Sequence, residues 1–351
     1  MFESKIYYGF LYAHHLELEL FNAHFPAFEV IISQQTYGKH KWERDYNYPI
    51  IGISLFYSGL GNNPILGNSF ALIPFINFPL YKNDNLTFLF RFALGVGILT
   101  NRFDRLNNYK NLAIGSYLNA AVNLMFEIRY RVNYFLGLTG GICLQHFSNG
   151  SLKLPNYGIN APMLNIGIAY SPVKINRNIV DRFIAPTQPF SAIIRKKIEF
   201  YFGFALGWKD MSAIYGKSYM VTHFYENTLV QISRKSKVGI GLDISYDPSH
   251  IKILEEINEI VTNKFRIIRP GINAAYELIM SRLGFIINLG YYLGGMEKSN
   301  GPFYEKLSMQ YNFAKNFYAQ VMLKVHWGRA DYIGIGFGYK FDIWYGRKTV
   351  K

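Results

Sequence analysis

The chain has 351 residues, with 37 Lys+Arg against 23 Asp+Glu, a formal charge of +14, a 17% aromatic share and only 17% charged residues. Half of the residues are apolar, which excludes a disordered chain, and the lone Cys143 excludes a disulfide scaffold. Asn, Gly, Pro or Arg interrupts every apolar stretch, which excludes a bundle of membrane-spanning helices, and the positive surplus points to nucleic acid, an acidic lipid surface or a phosphorylated glycolipid.

From the N-terminus onward the dominant signal is alternation. Met1-Phe2-Glu3-Ser4-Lys5 runs directly into an alternating segment without a secretory leader. In 86–100, Leu86, Phe88, Phe90, Phe92, Leu94, Val96 and Ile98 oppose a face that includes Thr87, Arg91, Ala93, Gly95 and Gly97. Phe200, Phe202, Phe204, Leu206 and Trp208 repeat the pattern, as do Ile333, Ile335, Phe337, Tyr339 and Phe341. Soluble sandwiches also alternate, but these stretches exceed the usual strand length, and their second face is mostly Gly, Ala, Asn and Thr. Strands with an apolar outer face and a small or polar inner face are the pattern of a transmembrane β-barrel. Tyr8, Tyr12, Trp208, Tyr339 and Phe341 suit its aromatic girdles. A barrel of this kind requires export, so a leader is expected to be missing from the sequence in hand.

About sixteen strands are predicted, with fourteen as the lower count. They fall near 4–15, 27–38, 48–60, 68–82, 86–100, 113–131, 133–148 and 160–173, then 197–209, 219–234, 236–247, 269–282, 284–295, 303–314, 316–328 and 330–341. Short turns alternate with long connections, as in an antiparallel up-and-down barrel, and the 38–48 connection breaks that rhythm. Lys5–Phe10 resembles Glu199–Phe204, and Met163–Tyr170 resembles Tyr332–Tyr339, so two eight-strand repeats are expected. The halves span 1–173 and 198–341, with a basic connector at 174–197 and a tail at 342–351. Because one barrel per chain is the commoner arrangement, a single sixteen-strand barrel is favoured, and two tandem eight-strand barrels are the alternative. Helical spacing over Ile251–Val261 predicts one loop helix, with Ser249 as its N-cap.

The segment richest in chemistry is Gly140–Asn160, GGICLQHFSNGSLKLPNYGIN. His146 and Ser148 stand two apart on a strand, so both leave one face, with Cα atoms roughly 6.5–7 Å apart. A serine beside a histidine is the minimal nucleophile–base pair for acyl transfer. Parity joins them to Tyr134, Leu136, Leu138, Ile142 and Leu144, so the pair looks outward toward lipid. Asn160 likewise shares parity with Leu164, Ile166, Ile168 and Tyr170. The bland alternative is that these polar residues mark the membrane interface. Two other histidine clusters are weaker. His326 has inward parity and no serine beside it, which leaves the second half catalytically degenerate. His14 and His15, with Glu17 and Glu19, hint at a metal, but adjacent histidines on a strand point to opposite faces, and no metal site is assigned.

His146-Phe147-Ser148-Asn149, the Pro155-Asn156-Tyr157-Gly158 loop and the strand after it resemble the lipid A 3-O-deacylase family, PagL-like proteins also called acyloxyacyl hydrolases. Those are small outer-membrane barrels with a serine–histidine–glutamate triad on the lipid-facing wall. The resemblance, which covers the first half, implies His146 as base, Ser148 as nucleophile, and Asn149 with Gly150 as oxyanion donors. Lys153, Pro155, Asn156 and Gly158 would form the substrate loop. Where that family has glutamate, twelve residues after the serine, this chain has Asn160. The His-x-Ser-Asn-Gly run is also similar to outer-membrane phospholipase A, whose triad ends in asparagine and for which calcium would be the cofactor. The proline-containing loop and the eight-strand unit favour the deacylase. That reading implies a lipid metabolism hydrolase of lipid A or lipopolysaccharide in the bacterial outer membrane, with the site facing the outer leaflet and no cofactor. Lys153, Arg102, Arg105 and Lys110 would then meet substrate phosphates. A non-catalytic barrel or channel is the remaining alternative, and no motif supports nucleic-acid binding.

Overall fold

The computed structural model describes residues 1–172, 197–211 and 217–344. Of the expected 174–197 connector, 174–196 lie outside the described residues, as does the end of the tail, 345–351, while Lys197 opens a strand. The first eight strands are β1 (Phe2–Phe10), β2 (His24–Gln35), β3 (Ile50–Ser58), β4 (Ser69–Lys82), β5 (Leu86–Leu99), β6 (Leu118–Arg131), β7 (Leu136–Ser148) and β8 (Ile159–Tyr170). Then come β9 (Lys197–Asp210), β10 (Ser218–Gln231), β11 (Ser236–Tyr246), β12 (Arg269–Met280), β13 (Leu283–Tyr292), β14 (Phe303–Tyr311), β15 (Phe317–His326) and β16 (Arg329–Trp344).

Each set of eight closes on itself. β1 pairs antiparallel with β8, from Phe2 opposite Tyr170 to Gly9 opposite Met163, and β16 pairs with β9 from Trp344 opposite Lys197 to Ile333 opposite Trp208. The chain therefore forms two eight-strand barrels, the arrangement weighed as the alternative, and the favoured single barrel is corrected. The reason lies in edge satisfaction. Once β8 pairs with β1 from Phe2–Tyr170 to Gly9–Met163, neither strand keeps an open edge to receive β9. Eight strands are also enough for side chains alone to fill the interior.

The period of two sets which side faces in. Along β1, Glu3, Lys5, Tyr7 and Gly9 are buried while Phe2, Ile6, Tyr8 and Phe10 are exposed. The outer wall is apolar to a degree water would not tolerate: Leu164 is 65% and Ile166 is 71% exposed, neighbours on one face of β8. Exposed Tyr12, Tyr57 and Tyr117 lie at one end of the first barrel, and Tyr81, Tyr130, Tyr134 and Tyr170 at the other. Those are the two aromatic girdles expected of a lipid-facing wall. Among the described residues no helix is long and apolar enough to cross a membrane, so any crossing is made by strands.

The inner face differs from its reading as Gly, Ala, Asn and Thr. It holds a charged network in the first barrel: Lys5 bonds Glu127, Arg91 lies 3.0 Å from Glu29, and Arg129 bridges Glu3 at 2.9 Å and Glu127 at 2.8 Å. Tyr7 donates to Glu29 at 2.5 Å, and Arg91 also reaches Asn77 at 3.1 Å. Charges so enclosed persist because each has an opposite partner and further hydrogen bonds. Beside this network an apolar cluster that includes Phe25, Ile31, Phe56, Phe147, Ile159 and Met163 fills the barrel, with Ile31 opposite Glu3 and Phe56 opposite Glu29.

Connections mostly follow the expected rhythm; the expected exception is present, and the two-residue 327–328 turn between β15 and β16 is a second. The 36–49 connection carries a short helix, α1 (Lys41–Asp45), and the 11–23 connection a 3-10 turn over Leu16–Phe21. The first strand ends at Phe10 rather than at 15, and β6 starts at Leu118 rather than at 113. The loop helix, α2 (Ser249–Glu256), begins earlier and ends earlier than Ile251–Val261. Its N-cap is Pro248 rather than Ser249, which is the first helical residue; the Asp247 carboxylate accepts from the Ser249 amide at 2.9 Å, and Asn258, at φ 62°, turns the chain out of the helix. Burial among α2 and its neighbours holds the His250 imidazole below its ordinary titration range.

Candidate active site

The site grows out of the β7–β8 hairpin. On β7, Thr139, Cys143, Gln145 and Phe147 point inward and are buried, so His146 and Ser148 point outward with Ile142 and Leu144. Phe147 between them is fully buried, against Gly97 and Phe56, which anchors this stretch of strand from inside. Register puts His146 directly opposite Asn160 on β8 and Ala120 on β6 opposite Ser148. Direct opposition brings Cα atoms to about 4.5–5.5 Å, so side chains on the shared face meet.

They do meet. His146 Nδ1 lies 2.6 Å from Asn160 Oδ1. A carbonyl oxygen only accepts, so Nδ1 carries the proton and Nε2 of a neutral ring is left with a lone pair. That is the tautomer a general base for serine requires. Ser148 Oγ forms no hydrogen bond among the described residues. Contacts of this kind commonly tighten only with substrate in place. Gly158, at φ 82°, packs against both residues: a Cβ there would stand 3.1 Å from His146 Cε1 and 3.7 Å from Ser148 Cβ. A side chain at 158 would be strained by its backbone and would crowd the imidazole.

The 149–158 loop is held by side chains of its own and by the 100–117 connection. Asn149 Nδ2 donates to Ser116 Oγ at 2.8 Å and to the Lys153 carbonyl at 2.9 Å. Its backbone amide donates to Asn156 Oδ1 at 3.0 Å. Gly158 N donates to the Ala113 carbonyl at 2.9 Å, and a Cβ on Gly115 would collide with the Lys153 and Leu154 carbonyls at 2.9 Å. Residues 113–117, read from sequence as the start of a strand, instead form this brace. Asn149 is thus engaged on both its amide and its side chain, whereas the Gly150 amide, at φ 62°, donates to no acceptor among the described residues. Pro155 is buried and follows a cis peptide bond. Lys153 is exposed in this loop, and Arg102, Arg105 and Lys110 lie in the connection at the same barrel end, with Arg102 stacked on Tyr117 at 5.0 Å.

The residues His146, Ser148, Asn160, Asn149, Gly150 and Gly158 therefore belong to one hairpin and its loop. Sequence reasoning misses one neighbour, His14. Adjacent histidines diverge only on a strand, but this strand ends at Phe10, and the His14 and His15 rings sit 4.6 Å apart. No short-range pattern could have linked His14 to Asn160. Only the β1–β8 closure does so. His326, by contrast, is buried inside the second barrel, 3.0 Å from Tyr292 Oη. Among the described residues no group of three or more His, Cys, Asp or Glu could hold a metal ion.

Two family models match this chain. Residues 27–169 match lipid A 3-O-deacylase (PagL), and residues 197–343 match the acyloxyacyl hydrolase C-terminal domain. No curated protein matches. Among solved structures, the outer membrane enzyme PagL is 18% identical at a TM-score of 0.34, with 47% of this chain and 97% of that one covered. An outer membrane channel from Pseudomonas putida F1 is 10% identical at 0.21, covering 97% of this chain and 95% of that one. A triple mutant of the Rhodopseudomonas blastica porin is 8% identical at 0.21, covering 97% and 99%. At such scores these structural likenesses carry no weight.

Proposed function

The chain belongs to the lipid A 3-O-deacylase family, its first barrel matched by the deacylase and its second by the acyloxyacyl hydrolase C-terminal domain, and from this premise we propose an outer-membrane serine acyl-ester hydrolase. The carrying observation is the 2.6 Å contact between His146 Nδ1 and Asn160 Oδ1, on the outward face that also bears Ser148. Ser148 Oγ attacks the carbonyl carbon of a fatty-acyl ester as its proton passes to His146 Nε2. The tetrahedral oxyanion is met by the Gly150 amide, and by the Asn149 amide once Asn156 yields it. Collapse breaks the ester bond, and His146 hands its proton to the departing alkoxide oxygen. Water then attacks the acyl-serine, gives a proton to His146 and releases the fatty acid, while Ser148 regains its hydrogen.

The substrate class follows from position. A nucleophile on the outer wall, beside exposed Leu144, Leu164 and Ile166, meets acyl chains that remain within the membrane. Lys153, Arg102, Arg105 and Lys110 at the same end suit the phosphates of lipid A in the outer leaflet. Phospholipid is the second reading, favoured by the asparagine at 160. The test is mass spectrometry of lipid A and of phospholipids after incubation with wild type and Ser148→Ala. The deacylase reading expects a fatty acid lost from lipid A only with wild type. Equal loss with Ser148→Ala would refute the serine mechanism, and calcium-dependent loss from phospholipid alone would refute the substrate.

A further inference from the structure

A triad that ends in asparagine has a weakness that one ending in a carboxylate lacks. A carboxylate offers His146 an acceptor whichever way it is turned. An amide offers an oxygen in one orientation and an NH₂ in the other, and the second would hold His146 in the tautomer that cannot take the serine proton. Something must choose the orientation of Asn160. The choice is made outside the hairpin.

Asn160 Nδ2 lies 3.1 Å from His14 Nδ1, and His14 Nε2 lies 2.8 Å from the Tyr157 carbonyl oxygen. The carbonyl can only accept, so His14 Nε2 carries a proton and donates. In a neutral ring Nδ1 then accepts, and the group that donates to it must be the Asn160 NH₂. Asn160 Oδ1 is thereby turned to His146 Nδ1–H, and His146 Nε2 is left open. One backbone carbonyl fixes the direction of every hydrogen bond from Tyr157 through His14 and Asn160 to His146. We infer that His14 is a positioning residue, which locks the Asn160 amide and makes asparagine a working third member of the triad.

Its placement is built rather than incidental. The Tyr12 amide donates to the Asn160 carbonyl at 2.8 Å, which lays the chain leaving β1 along the start of β8. His15 stacks on the Tyr157 ring at 4.3 Å, and Tyr157 Oη donates to Glu17 at 3.5 Å, so with His14 three residues of one loop hold Tyr157. Leu11, Leu18 and Phe21 are buried in the barrel mouth and anchor that loop. A side chain held at both nitrogens on an anchored loop can orient its neighbour without touching substrate.

The catalytic consequence rests on the acyl-hydrolase reading, while the orientation of Asn160 does not, and two measurements separate them. The first is a kinetic cycle on full-length protein in detergent. His14→Ala should lower kcat about five- to tenfold with KM little changed, the scale of one neutral hydrogen bond. In an Asn160→Glu background the same substitution should cost less than about twofold, because a carboxylate needs no orienting partner. An equal loss in both backgrounds, or none in either, overturns the proposal. The second is the ¹⁵N spectrum of the histidine rings in full-length Ser148→Ala, which turns nothing over. His146 should show a protonated Nδ1 and a bare Nε2, and His14→Ala should convert this to a tautomer mixture. An unchanged His146 spectrum overturns the proposal. If wild type releases no fatty acid, the acyl-hydrolase reading fails, and the ring spectrum still decides the role of His14.

Discussion

Replacing Asn160 by leucine removes the acceptor of His146 Nδ1–H and, with it, the amide contact to His14 Nδ1. Both side chains branch at Cγ, Asn160 is only partly buried, and the β7–β8 pairing through His146 and Asn160 is made by backbone atoms. In the resting enzyme the lost contact is a neutral hydrogen bond, worth about 0.5–1.5 kcal/mol. On the proposed mechanism His146 becomes an imidazolium in the transition state, and the same 2.6 Å contact becomes charge-assisted, worth about 1.5–3 kcal/mol. The difference between the two figures, about 1–1.5 kcal/mol, governs kcat, which should fall about 5- to 13-fold at roughly 1.4 kcal/mol per decade. KM should barely move, because Asn160 is not expected to touch the acyl chain. The assay is initial-rate release of fatty acid from lipopolysaccharide in mixed micelles, with the heat-dependent gel shift of an intact barrel as the fold control. A folded Asn160→Leu variant with wild-type kcat would refute the reasoning, since His146 would then need no partner at Nδ1.

Other expectations follow from the same geometry. Gly158→Ala should lower activity about 100-fold, because the strained backbone and the crowded His146 Cε1 move the base, while a gel shift near wild type separates this from unfolding. Arg91→Met should destabilise the first barrel by about 3–5 kcal/mol, measured by urea titration, since Glu29 is left buried without its cation. A two-barrel chain also expects residues 1–172 to fold alone in lipid and to deacylate substrate. A fragment that stays unfolded there would show that closure of β8 on β1 is not sufficient.

The placement of the candidate residues was readable in the linear chain because strand parity is a local rule. A period of two places His146, Ser148 and Asn160 on the apolar face whatever the barrel around them, and the duplication of Lys5–Phe10 in Glu199–Phe204 sets the repeat at eight strands. Parity is silent where chain segments distant in sequence meet. Two barrels of eight and one of sixteen obey the same alternation, and only the pairing of Phe2 with Tyr170 decides between them. The inner charges tell the same story. Glu3, Lys5, Glu29, Arg91 and Glu127 are visible as letters, yet their tolerance inside a barrel depends on meeting across strands far apart in the chain.

His14 marks the boundary most sharply. Its sequence neighbours suggest a strand and, at most, a doubtful metal site. Its partners, Asn160 and the Tyr157 carbonyl, lie at the other end of the first barrel's sequence and come near only through the β1–β8 seam. The sequence by itself determined the alternation, the strand number and the outward histidine–serine–asparagine face, since all three depend on side chains one or two positions apart. Tertiary structure alone decided where each barrel closes, which charges pair inside it and which way the Asn160 amide is turned, because these depend on contacts that closure creates.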